Sequence, residues 1–231
     1  MTPRTPEPRS RRDRPAKPAL TYAGIIGTAV RLMRAEGLER VTMRRLAQEL
    51  DTGPASLYVY VANTAALHAA VLETLLGDVD LGPVTARGDW RDRVGAVLAS
   101  YTEVLFAYPG LARSALTARP DGDNYLHLLE GLLSLLHSGG VPDGQAAWGV
   151  DVLLQVATAT AAEHAGNEHT EWAATADAVR DAPATTYPRL HAVGDRLLSG
   201  TAEQRLAWSF RMLATGIAGT PTPDNHRGGR P

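Results

Sequence analysis

Between residues 42 and 64 the chain gathers side chains suited to a polyanion. Thr42, Arg44 and Arg45 open one helical stretch, and Asn63-Thr64 opens another. Between them Ala55, Ser56, Tyr58 and Tyr60 lie in a short run, 54–60, without Asp or Glu. Cations in the first turn of a helix oppose its dipole, at about a few tenths of a kcal/mol each. A phosphate at that end reverses the sign, because free backbone N–H groups, a threonine hydroxyl and a guanidinium all favour an anion. The plainer alternative, two solvated arginines, stays open on these residues alone. In the acid-free run, Ala can touch a thymine methyl, Ser can bond to a base or phosphate, and tyrosine hydroxyls donate to phosphate. Tyr60 fits a core position equally well. The N–H groups that follow Asn63 offer a further anion site.

The elements that must position these groups are helical. From Thr21 the apolar period is that of a helix, with Tyr22, Ile26, Ala29, Val30 and Met33 on one face and Gly37 as its stop. Thr42 caps a short helix carrying Leu46, Ala47 and Leu50. Asp51-Thr52-Gly53 reads as a tight break, and Pro54 as the first residue of a third helix that runs to about Tyr60 and is anchored inward by Leu57 and Val61. Asn63 caps a fourth helix with Leu67, Ala70, Val71, Thr74 and Leu75 on one face. Two short helices around a turn with glycine make a helix-turn-helix, whose second helix enters the major groove.

The remainder also reads as helix, over about 91–107, 111–118, 124–138, 145–165, 171–181, 187–199 and 201–218, with no alternating strand pattern and no internal repeat. The expected organisation is a disordered basic arm (1–20), a DNA-binding domain (21–77), a linker (78–90), a helical second domain (91–219) and a loose tail (220–231). The arm holds six basic residues against two acidic ones and five prolines within residues 1–19. It reads either as a segment that touches phosphates or a minor groove, or as a solvated tail. Net charge is only −2 over 231 residues, but residues 1–80 are net basic and 81–231 net acidic. Without cysteine there is no disulfide framework, thiolate metal site or Cys nucleophile. No apolar run reaches a membrane span and no signal peptide is visible, so a cytoplasmic protein without membrane contact is expected.

The stretch Val41-Thr42-Met43-Arg44-Arg45-Leu46-Ala47-Gln48-Glu49-Leu50, then Gly53 through Leu57-Tyr58-Val59-Tyr60-Val61, then Asn63 and Leu67, resembles the N-terminal domain of the TetR (tetracycline repressor) family. The resemblance implies an all-α homodimer: an N-terminal three-helix helix-turn-helix DNA-binding domain followed by a C-terminal helical ligand-binding and dimerisation domain. It implies phosphate contacts at Thr42 and Tyr58, and at Arg44 a position that reads a guanine in some members. Gly53, Ala55 and Ser56 match the variable recognition positions. Where the family has lysine after the asparagine, this chain has Thr64, a hydroxyl without charge, and the arginine-rich arm is expected to compensate. With Arg45 and Tyr60 these residues form the expected DNA-binding set. Double-stranded DNA with a palindromic operator, and an apolar small-molecule effector, are the expected partners.

The second domain resembles the tetracycline-repressor-like subgroup through Trp90, Tyr108-Pro109-Gly110, Tyr187-Pro188-Arg189-Leu190 and the last helix. Residues 146–162 are apolar nearly all round, which suits a helix buried on every side in a core or an interface. The last helix carries one stripe at Leu206, Phe210, Leu213 and Ile217 and another at Trp208 and Met212. A dimer bundle is therefore expected to use Trp148, Val152, Val156, Ala159, Leu206, Phe210, Leu213 and Ile217. Candidate ligand contacts are Tyr101, Phe106, His127, Leu128, Trp148, Val152 and Gln155, each of which also fits a plain core role.

Glu163-His164 and Glu168-His169 invite a metal reading, but they flank Gly166 without HExxH spacing and read better as polar loop residues; no metal and no cofactor is expected. No G-x-S-x-G, phosphate loop or dinucleotide glycine pattern is present, so no catalytic residue is assigned and an enzyme is not expected. The favoured reading is a DNA-binding transcription regulator, most naturally a repressor released by a small molecule. The alternatives are a helical adaptor that binds only protein and, more remotely, an enzyme.

Overall fold

A computed structural model describes residues 19–117, 120–164 and 169–223, all helix and connection. The head is built from α1 (Tyr22–Glu36), α2 (Met43–Glu49), α3 (Pro54–Leu57) and α4 (Thr64–Leu76). The body comprises α5 (Trp90–Phe106), α6 (Pro109–Ala115), α7 (Asp123–Ser138), α8 (Asp143–His164), α9 (His169–Arg180), α10 (Pro188–Leu198) and α11 (Ala202–Gly219). Single 3-10 turns at Leu38–Arg40 and Gly82–Val84 complete the described elements. The basic arm through residue 18, the tail from 224 and the side chains of 164–172, among them His164, Glu168 and His169, lie outside the described residues.

Helix boundaries follow their caps. The Thr21 hydroxyl accepts from Gly24 N at 3.1 Å at the start of α1, and Gly37, at φ 87°, returns its N–H to Met33. α2 ends on a paired motif in which Thr52 N donates to the Ala47 carbonyl and Asp51 N to Gln48. The left-handed residue there is Asp51 (φ 48°), not Gly53. Aspartate tolerates this region better than most side chains.

Ile26, Ala29, Val30 and Met33 are buried as their spacing predicts, whereas Tyr22 is exposed, one turn too early to reach the core. In α4, Leu67, Val71 and Leu75 are buried and Thr74 is exposed, its hydroxyl returned to the Ala70 carbonyl. Leu72 and Leu76 are buried too, so α4 is covered on two sides. It packs on α1 within the head and on α6 and α7 of the body.

One continuous apolar core runs through head and body. Residues 78–90 are accordingly no free linker: Val79 is buried, Asp80 N donates to Ser100, and the turn at Gly82–Val84 packs on α5 and α7. α5, α8 and α11 form the centre of the body. α8 and α11 run antiparallel and close, with Gln145 Nε2 donating to the Ile217 carbonyl at 2.7 Å and a Cβ on Gly149 falling 2.6 Å from Ile217 Cγ2. α8 is not buried all round: Trp148, Asp151, Val152 and Gln155 emerge from it. α9 and α10 pair with each other, and α10 buries no residue. Among the described residues no single helix is long and apolar enough to cross a membrane.

Candidate nucleic-acid interface and ligand cavity

The reading surface is held by caps that leave hydrogen-bonding capacity free. The Thr42 hydroxyl accepts from Arg45 N at 3.2 Å, so its own O–H is available to an outside acceptor. Asn63 Oδ1 accepts from Ala66 N at 2.8 Å, and Thr64 is the exposed first residue of α4. Between these ends α3 is shorter than its composition suggests; helix stops at Leu57 and the chain continues as turns, with Tyr60 N and Val61 N both donating to the Leu57 carbonyl. Leu57 and Val61 are buried and pin the segment inward. Gly53, Ala55 and Ser56 are exposed, as are Tyr58 (53%) and Val59 (81%). Val59 was not singled out by the sequence; its place between two tyrosines, two residues after an inward leucine, was the available signal.

Two expected contacts are engaged inside the protein. The Tyr60 ring is exposed, but its hydroxyl donates to the Leu20 carbonyl at 2.8 Å. It is neither a core residue nor a free phosphate donor. Arg45 is clamped: Nη2 lies 2.7 Å from Glu36 Oε1 at the end of α1, and Nη1 lies 2.9 Å from Glu49 Oε2 at the end of α2. The hydrogen bond to Glu36, with Glu49 second, raises the Arg45 pKa, and the same bond holds the Glu36 carboxyl below its ordinary value. α2 is therefore not electrostatically unfinished at Arg45. Arg44 is exposed and makes no ion pair among the described residues, so the unbalanced charge on this helix belongs to it.

In the body, α4, α5, α6 and α8, with the start of α7, border a partly open cavity of about 70 Å³. Leu72, Leu76, Leu116 and Leu154 line it, together with the polar Tyr101, Tyr125, Asp151, Gln155 and Thr158. Tyr101 is buried, and its hydroxyl lies 2.7 Å from that of Thr158. Thr158 spends its single proton on the Leu154 carbonyl, so Tyr101 is the donor of the pair. Burial pushes the Tyr101 phenol above its ordinary pKa.

Of the expected ligand contacts, Tyr101 and Gln155 reach this cavity and five do not. Leu128 is wholly buried core, and His127 is exposed. Phe106 faces a groove between α5 and α11. Trp148 and Val152 are exposed on the outer face of α8. Leu72 and Leu76 were missed because the wall draws on α4, which the sequence assigns to the head; Tyr125, at the start of α7, was missed as well.

Among the expected dimer residues, Phe210 is wholly buried in its own chain, while Leu206, Leu213 and Ile217 pack partly buried against the same core. That stripe packs on the core of its own chain. The exposed stripe of α11 is Trp208 (68%) with Met212, and α8 exposes Trp148 (57%) with Val152. Val156 and Ala159 are half-buried. No group of three or more potential metal ligands occurs among the described residues.

An exposed, acid-free segment between two capped helix starts, carried on a helical body with its own cavity, defines a helix-turn-helix head on a helical body. Residues 25–71 match the profile of bacterial regulatory proteins of the tetR family, and residues 82–219 match the tetracyclin repressor-like C-terminal domain. The chain belongs to the TetR family. It is 61% identical to a Streptomyces protein described as a transcription regulator, SCO7704, over 90% of this chain and 98% of that one, with a TM-score of 0.76. It is 34% identical to Streptomyces coelicolor ActR, solved in complex with actinorhodin, over 87% of this chain and 96% of that one, with a TM-score of 0.74. An HTH-type transcriptional regulator of Saccharopolyspora erythraea is 33% identical over 58% of this chain and 55% of its own length. The chain thus spans about half the length of the curated relatives it matches, 55% and 49% for two of them.

Proposed function

We propose that this protein is a DNA-binding transcription regulator that acts as a homodimer and answers to a small molecule, most naturally as a repressor. The observation that carries the reading is the exposed recognition segment, Ala55, Ser56, Tyr58 and Val59, set between the hydroxyl of Thr42 and the exposed start of α4 at Thr64. In this reading Thr42, Tyr58 and Thr64 bind phosphates, and Arg44 takes a phosphate or a guanine. Gly53 lets the backbone approach the groove, where Ala55 and Ser56 meet base edges. Arg45 holds α2 against α1, and Tyr60 holds the segment to Leu20, so both act by position.

Two such heads, joined through the exposed faces of α8 and α11, would read half-sites about 34–36 Å apart or a multiple of that. The cavity, lined about equally by apolar and polar side chains, supports a ligand with an apolar body and several hydrogen-bonding groups. At about 70 Å³ it is far smaller than a drug-sized site of about 300–1,000 Å³. A ligand of that size must spread its walls, α4 of the head among them, which gives ligand and DNA states of unequal affinity.

The test is DNA footprinting on the region upstream of the protein's own gene, at moderate salt. A protected palindrome is expected; absence of any sequence-specific protection overturns the proposal and favours a protein-only adaptor. A thermal-shift titration with actinorhodin, the molecule in the ActR complex, addresses the ligand.

A further inference from the structure

The start of α7 lacks the usual device for closing a helix. Its N-cap is Gly122, which has no side chain to accept from the exposed N–H groups of the first turn. A residue from the head supplies the acceptor. Glu73, the sole carboxylate in α4, reaches across. Its Oε1 accepts from Asn124 N at 2.7 Å, and its Oε2 accepts from Tyr125 N at 3.3 Å. The clasp is double: Asn124 Nδ2 donates back to the Glu73 carbonyl oxygen at 2.9 Å. Gly122 is part of it, because a Cβ there would fall 2.5 Å from the Glu73 carboxyl carbon. The same two pieces of chain form cavity wall: Leu72 and Leu76 flank Glu73 on α4, and Tyr125 is one of its two N–H donors.

We infer that Glu73 is the positioning residue that couples the cavity to the reading head, by capping α7 from α4. A carboxylate on a helix N-terminus is held by hydrogen bonds and by the dipole together, so it resists sliding more than apolar packing does. A shift of Tyr125 away from the cavity carries the first turn of α7 with it, and Glu73 passes the shift to α4, whose first residue is Thr64. The inference rests on the proposed DNA-binding, ligand-responsive function, and names the residue through which that response travels.

Coupling is reciprocal, so DNA must be felt at the cavity as strongly as a ligand is felt at the DNA. The experiment therefore needs no ligand. Backbone amide exchange is followed in the full chain with and without the DNA fragment found by footprinting, at residues 122–126 and at 42–45. In the wild-type protein DNA is expected to slow exchange at 42–45 and to change it at 122–126 by about fivefold or more. Glu73→Gln keeps one acceptor and loses the charge; Gly122→Ala wedges the carboxylate off α7 without touching it chemically. Both variants are expected to keep the protection at 42–45 and to lose most of the response at 122–126. A merely structural role would lower the two together. The inference is overturned if both variants keep the wild-type response at 122–126, if wild-type α7 ignores DNA that protects 42–45, or if the variants lose DNA binding outright. A wild-type protein that binds no specific DNA refutes the functional proposal instead, and the coupling with it.

Discussion

Arg44 and Arg45 are adjacent, chemically identical and on the same first turn, yet the structure separates their roles, and DNA affinity measured against salt distinguishes them. Each phosphate neutralised contributes about 0.9 to the slope of log K against log salt. A dimer presents Arg44 twice, so Arg44→Gln should flatten the slope by about 1.8. Between about 50 and 200 mM salt, a fourfold rise, that difference amounts to about 12-fold in relative affinity. Arg45 is already balanced by Glu36 at 2.7 Å and Glu49 at 2.9 Å. Arg45→Gln should lower affinity while leaving the slope within about 0.3 of wild type. Glu36→Gln gives a test of sign. It deletes a negative charge near a polyanion, so a phosphate-binding Arg45, once released, would bind DNA more tightly. A positioning Arg45 loses its anchor on α1, and binding weakens. Fluorescence anisotropy over a salt series reads all three. Equal flattening by both arginine variants, or tighter binding by Glu36→Gln, refutes the division of roles.

Other outcomes test the body. Trp148→Glu combined with Trp208→Glu should convert a dimer to a monomer by light scattering at micromolar protein, whereas a wild-type monomer would remove the proposed interface. Gly149→Ala drives a Cβ to 2.6 Å from the β-branched Ile217 and should destabilise by about 1–3 kcal/mol in thermal melts; an unchanged melt would mean α8 and α11 part easily. Thr158→Val strands the buried Tyr101 hydroxyl, at about 1–3 kcal/mol in denaturant unfolding, unless a water replaces the threonine. The raised phenol of Tyr101 contributes stability that is complete below pH 10.0 and lost as pH rises through its higher folded value. Ultraviolet titration should accordingly show one tyrosine ionising later than the rest.

What the sequence disclosed depended on how far apart the partners lie. Thr42 and Asn63 cap groups three residues away, and both caps are where the spacing puts them. The clamp on Arg45 needs Glu36, nine residues earlier on another helix, and periodicity within α2 does not reveal it. Glu73 and Asn124 are 51 residues apart. The legible trace of that clasp was a lone carboxylate in α4; the sequence starts the next helix at about 124, so the missing cap at Gly122 was not legible. The two stripes of α11 were legible as two, but which one turned inward was decided by packing. Phe210 fills the core while Trp208, large and with a polar N–H to satisfy, stays outside.

The sharing of α4 between the head and the cavity bears on how freely such proteins can be recombined. Leu67, Val71 and Leu75 stabilise the head, while Leu72, Glu73 and Leu76 wall the cavity and cap α7. A head grafted from another regulator at a junction near residue 77 would bring a foreign cavity wall and a foreign cap. Such a chimaera should read the donor's operator yet lose the recipient's ligand response. One that keeps Leu72, Glu73 and Leu76 of this chain should keep both. The unit of exchange is then not the domain drawn from the sequence, but the domain less one face of its last helix.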